Sequence, residues 1–88
     1  MHIQVNYLAQ LKQAAGRAEE SVQLVGSLSL AEFAASLTES RAALRAYLVP
    51  QGSGGAVAFV NDLQRGWSDP TPLAPGDRVT FLAPMAGG

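Results

Sequence analysis

Apolar and polar residues alternate at the start of the chain, where Gln4 and Asn6 separate Ile3, Val5 and Tyr7. A period of two predicts a strand with Ile3, Val5 and Tyr7 on one buried face. Leu8 to Ala15 holds good helix formers and stops at Gly16, which predicts a short helical turn closed by a left-handed glycine. Alternation returns from Glu20 to Val25, with Val22 and Leu24 between polar neighbours and Gly26 as the stop. The two strands lie close enough in sequence to form a hairpin.

The period then changes. Ser29-Leu30-Ala31-Glu32 has capping-box spacing, with Leu28 and Phe33 placed to form a hydrophobic staple. Leu30, Phe33, Ala34 and Leu37 follow at i, i+3, i+4 and i+7, so a helix lays one apolar stripe on the sheet while Glu32, Ser36, Glu39 and Ser40 face water. The stripe resumes weakly at Leu44 and Leu48, and Pro50 ends any helix before it.

Gln51-Gly52-Ser53-Gly54-Gly55 is a loop by composition. It reads as a surface connection rather than a phosphate cradle, because neither a lysine nor a helix start follows. Ala56 to Val60 is a continuous apolar run, as a strand buried in mid-sheet would be. Asn61-Asp62 turns the chain into a weak strand over Leu63 to Trp67, and Pro70 and Pro72 exclude regular pairing beyond it. Pro75-Gly76-Asp77 is a tight turn into a last strand, Arg78 to Leu82, with Val79 and Phe81 inward. A first strand beside a last strand around one packed helix is the β-grasp arrangement: an α+β fold with a mixed sheet of four to five strands on one long helix. The domain is expected to span 1–82, with 83–88 as an extended tail that is disordered beyond Pro84.

Length and composition narrow the function. Eighty-eight residues suit one small domain, and 15% charged residues is low against about 25% in an average soluble domain. A net charge of -1 supplies none of the positive field that nucleic acid or an anionic membrane demands. Without cysteine there is no disulfide, thiolate metal site or cysteine nucleophile. The first residues lack a signal-peptide pattern and no apolar run approaches the ~20 residues of a membrane span, so a cytoplasmic location is expected. At this mass a globular fold exposes about 4,900 Å², so two partners that each cover ~800 Å² would share a face.

The remaining chemistry lies at the end of the sequence, Ala83-Pro84-Met85-Ala86-Gly87-Gly88. Pro84 favours an extended Ala83, and at up to ~3.6 Å per residue the tail reaches roughly 20 Å from the domain. Gly87 and Gly88 have no β-carbon, so this end can enter a narrow channel. The useful atom there is the terminal carboxylate of Gly88. ATP would convert it to an acyl adenylate, and a sulfur donor would displace the adenylate to leave a thiocarboxylate. Such a carrier needs no catalytic side chain of its own.

Three segments carry a family resemblance: Ile3 to Lys12 with Gly16, the pair Val60-Asn61, and Pro72 to Pro84 ending in Gly87-Gly88. The chain resembles the MoaD/ThiS family of ubiquitin-like sulfur carriers, nearest to the small subunit of molybdopterin synthase. That resemblance implies that an adenylating enzyme uses ATP to activate Gly88 and that a sulfur donor makes the thiocarboxylate. The carrier then donates sulfur to a pterin precursor on the synthase large subunit, in a heterotetramer. It implies no permanently bound cofactor, no metal and no independent enzymatic activity. The 51–55 and 68–75 loops look longer than the family's shortest forms, which fits loop drift. Alternatives are a carrier for thiazole, a sulfur amino acid or thiolated tRNA, a β-grasp interaction module with an inert tail, and a modifier conjugated to lysines.

Strand parity places Thr80 and Leu82 outward and puts Leu8 off the inward face. Leu8, Leu82, Pro84 and Met85 are therefore the candidate partner-binding residues. His2 is a lone imidazole, and Trp67 reads as a cap on the core. Lys12 is the single lysine and reads as an exposed helix charge that could pair with an acidic partner.

Overall fold

The computed structural model describes residues 1–48 and 56–83. Strand β1 (His2–Tyr7) buries Ile3, Val5 and Tyr7 as the alternation requires. A turn at Ala9, φ 52° and ψ -123°, leads into α1 (Gln10–Ala15), which ends on Gly16 at φ 76°. The Gly16 N–H donates to the carbonyls of Lys12 and Gln13, and only glycine takes this left-handed position freely. Antiparallel to β1 runs β2 (Glu19–Gln23), with Ile3 opposite Val22 and Val5 opposite Glu20. Beyond β2, Leu24 is still buried and exchanges backbone hydrogen bonds with Met1.

Helix α2 (Leu30–Ser40) begins with the complete capping box: Ser29 Oγ accepts from the Glu32 N–H at 3.3 Å, and Glu32 Oε1 accepts from the Ser29 N–H at 2.9 Å. A cap of this kind stabilises a helix by about 1 kcal/mol. Leu30, Phe33, Ala34 and Leu37 are buried, and so is Thr38, whose hydroxyl donates to the Ala35 carbonyl at 2.7 Å. The stripe does resume at Leu44 and Leu48, both fully buried, though not within one uninterrupted helix. Arg41, at φ -132° and ψ 89°, stops α2. A 3-10 turn (Ala42–Leu44) and α3 (Arg45–Leu48) then carry the stripe on. Pro50 and the 51–55 loop lie outside the described residues.

The remaining strands are β3 (Val57–Val60), β4 (Leu63–Arg65) and β5 (Arg78–Leu82). The sheet order is β2-β1-β5-β3-β4, with β1 and β5 parallel and every other pair antiparallel. First and last strands are thus neighbours at the centre, which is the expected β-grasp topology. Between β3 and β4, Asn61 and Asp62 at φ 52° and 71° form a two-residue turn of the kind that matches strand twist. Strand β4 stops at Arg65, short of Trp67, and among the described residues 68–75 pairs only through an isolated bridge between Ser29 and Pro72.

One expectation changes. The apolar run at 56–60 does lie inside the sheet, but it is not buried on both faces. Ala56, Ala58 and Val60 join the core, whereas Val57 and Phe59 point to the opposite face and are half-buried. The core residues of β1, β3 and β5 share one face with the inward sides of the helices, and no helix among the described residues covers the other face, where Val57, Phe59, Thr80 and Leu82 are half-buried.

Candidate functional site

The candidate site lies where β5 ends and the tail begins. Phe81, fully buried, has the Tyr7 ring on one side and the Trp67 ring on the other. The centroid distances are 6.3 and 6.2 Å, and Trp67 is nearly parallel to Phe81 at 5°. At that spacing parallel rings are offset, the arrangement that their quadrupoles favour. Trp67 is fixed in turn by its indole N–H, which donates to the Ala56 carbonyl at 2.9 Å, so it is the core cap that the sequence suggested. The Leu8 N–H donates to the Phe81 carbonyl at 3.1 Å, and Ala83 is still buried. The root of the tail is therefore anchored on both edges.

An ion pair braces this anchor from behind. Val5 opposes Glu20, so Glu20 has the inward parity of an edge strand and its carboxylate needs partners. The Tyr7 hydroxyl donates to Glu20 Oε2 at 2.6 Å, and Arg41 grips the same carboxylate with two bonds of 2.6 and 2.7 Å. The Arg41 guanidinium holds the Glu20 carboxyl below its ordinary pKa, more than burial raises it. Burial, and then the Glu20 carboxylate, push the Tyr7 phenol well above its usual range. The break of α2 at Arg41 thus has a role, since it brings the guanidinium back onto β2.

On the open face, Leu82 lies directly across from Val57, and Phe59 across from Thr80. Leu82 is half-buried rather than exposed as parity alone suggested, whereas Leu8 is 44% exposed. Val57 and Phe59 belong to this apolar patch although the sequence reading did not include them. The signal was present in the unbroken run 56–60, which in a sheet with one open face must place every second residue outside. Pro84, Met85, Gly87 and Gly88 lie outside the described residues.

The other motif residues gather at the opposite end of the sheet. Asn61 Nδ2 donates to Asp77 Oδ1 at 2.9 Å, and Asn61 Oδ1 accepts from the Arg78 N–H at 2.9 Å. Asp77 Oδ2 accepts from the Ala74 N–H at 2.8 Å, and Arg78 pairs with Asp62 across the turn. Val60-Asn61 and Gly76-Asp77 are devices of the fold, since they sit at the start of β5 and the tail leaves from its end. His2 is exposed at the start of β1, and no cluster of metal-ligand type occurs among the described residues. Nor, among those residues, is any helix long and apolar enough to cross a membrane.

The ThiS family model matches residues 5–88, nearly the whole chain. The chain belongs to the ThiS family. It is a ubiquitin-like sulfur carrier of the MoaD/ThiS type, as its motifs implied. No curated protein sequence matches it. Among solved structures, SAMP1 from Haloferax volcanii is 18% identical with a TM-score of 0.83, covering 100% of both chains. A putative molybdopterin converting factor subunit 1 from Pyrococcus furiosus is 20% identical with a TM-score of 0.78, covering 97% of this chain and 99% of its own. At 25% identity and a TM-score of 0.68, a chain of the BexX/CysO complex from Amycolatopsis orientalis covers 98% and 99%. The first two share the fold, and the third comes from a structure of a carrier-sized chain with a partner protein.

Proposed function

We propose that this member of the ThiS family supplies sulfur for molybdopterin synthesis as the small subunit of molybdopterin synthase, through the carboxylate of Gly88. The observation that carries this reading is the extent of the family match, which runs through Gly87-Gly88 to residue 88. An adenylating enzyme joins the Gly88 carboxylate to AMP from ATP, releasing pyrophosphate. A sulfur nucleophile then forms the C–S bond as the anhydride C–O bond breaks, and AMP leaves with the electron pair. The resulting thiocarboxylate enters the synthase large subunit, with which the carrier forms a heterotetramer.

The domain contributes position. The Tyr7–Phe81–Trp67 stack and the Leu8–Phe81 hydrogen bond give the tail a fixed root, while Leu8, Leu82, Val57 and Phe59 present an apolar face beside it. The same face serves the activating enzyme and the synthase in turn, because both must take the one tail that leaves the end of β5 beside it.

Neighbours that carry names other than molybdopterin converting factor leave room for a second reading, in which the same thiocarboxylate serves thiazole, sulfur amino acid or tRNA thiolation. Both readings are tested by incubating the chain with ATP, an adenylating enzyme and a sulfur donor. Mass spectrometry of the intact protein is expected to show one oxygen exchanged for sulfur at the C-terminus, and an unchanged mass would sink both. Conversion of the pterin precursor by the charged carrier with a synthase large subunit separates the first reading from the second.

A further inference from the structure

Helix α1 starts where the tail leaves. The Leu8–Phe81 hydrogen bond joins the residue ahead of α1 to the strand that leads into the tail, and Ala9 then swings the chain into the helix. Beside α1 lies an open cleft of about 550 Å³ lined by Ala9, Lys12, Gln13, Gly16 and Arg17, all of them exposed. All seven acidic side chains belong to the described residues. Among those residues the ion pairs are Arg41–Glu20, Arg65–Asp69 and Arg78–Asp62. Among the described residues Lys12 and Arg17 therefore have no carboxylate side chain within pairing distance, although Arg17 is near enough to Glu20 to favour its charged form.

We propose that this cleft receives an acidic segment of the protein that accepts the tail, with partner carboxylates on Lys12 and Arg17. The inference rests on the carrier reading and adds the chemistry of the partner's surface to it. A small anion is a poorer occupant, because the two cations are solvated ends of flexible side chains and no buried polar group lines the cleft to hold one. A protein surface differs, because whatever covers Leu8 and the tail exit also approaches α1. Cations drawn out of water without partners are costly, whereas facing carboxylates remove that cost and speed the encounter. A basic surface would be repelled, so the pair also selects among partners.

The test uses the full chain and the adenylating enzyme that charges it, with association followed by biolayer interferometry at several salt concentrations. Wild-type association is expected to slow as salt rises. In Lys12→Glu/Arg17→Glu it should be about tenfold slower at low salt, with a salt dependence that flattens or reverses in sign as salt screens the new repulsion. Lys12→Gln/Arg17→Gln should fall between them, and it guards against any disturbance of Glu20 by the reversed charge. Circular dichroism melts exclude misfolding as the cause. Unchanged rates and salt slopes in both variants would overturn the proposal while leaving the carrier reading intact. Failure of the wild-type chain to gain sulfur would instead remove the carrier reading itself, and this inference with it.

Discussion

The Tyr7 hydroxyl donates to Glu20 Oε2 at 2.6 Å, and through this contact strand β1 is tied to an ion pair at the edge of the sheet. Tyr7 also flanks Phe81, so the bond lies one ring away from the root of the tail. Glu20 satisfies its two oxygens with Tyr7 and Arg41, and its side chain is 11% exposed. A carboxylate so placed strengthens the fold only while it is charged.

Glu20→Gln is therefore expected to cost about 2 kcal/mol at pH 7, since Arg41 and Tyr7 lose a charged acceptor. The Glu20 pKa is depressed in the fold below its ordinary 4.5. Below pH 4.5 the unfolded chain takes up the proton first, so stability present above that pH is lost as pH falls through the folded pKa. Thermal melts from pH 7 to pH 3 should show this acid loss in the wild type and a flatter profile in Glu20→Gln. Equal slopes in the two proteins would exclude Glu20 as the cause.

At the far end of the sheet, Asn61 joins the β3–β4 turn to Asp77 and to the first residue of β5. Asn61→Ala removes both side-chain bonds and places a β-carbon residue without turn chemistry at φ 52°. A loss of about 2 kcal/mol in urea unfolding is expected. Affinity for the tail-accepting protein should be unchanged in the folded fraction, because this network lies at the start of β5. Weakened binding would mean that the partner reaches both ends of the sheet.

The contrast between these two clusters shows what the sequence made legible. Strand parity, the Ser29 cap and the Gly16 stop follow from local pattern, because each depends on residues within a few positions of one another. Glu20, Tyr7 and Arg41 do not, since their meeting requires the hairpin register and the break at Arg41 together. Asn61 and Asp77 were visible as motif residues, but their structural role emerges only when a turn and a strand sixteen positions apart come into contact. Val57 and Phe59 were hidden for a simpler reason. An unbroken apolar run carries no parity of its own, and the side that each residue takes is set by its register against Leu82 and Thr80.

Trp67 offers a separate measure of the anchored root. Trp67→Phe keeps a ring against Phe81 and loses the bond to the Ala56 carbonyl, a loss of about 1 kcal/mol. Trp67→Ala also removes the stack and should cost about 3 kcal/mol. Denaturant unfolding by circular dichroism distinguishes the two. Equal losses would mean that the hydrogen bond, rather than the ring, holds the cap in place.

The open face is tested best by neighbours of opposite parity on β3. Val57 is half-buried and faces Leu82, whereas Ala58 is buried and faces Phe81. Val57→Ser removes apolar area that water already reaches in part, so its stability cost should stay near 1 kcal/mol. Its affinity for the activating enzyme should nevertheless fall about tenfold, because the lost area lies in the centre of the docking patch. Ala58→Leu does the reverse: it overpacks the core at a cost of about 2 kcal/mol, with affinity retained in the folded fraction. Calorimetric titration of both variants, set beside their melting curves, reads the two effects separately. If Val57→Ser binds as tightly as the wild type, the partner does not use this face, and the tail with the flank at Leu8 must supply the recognition alone.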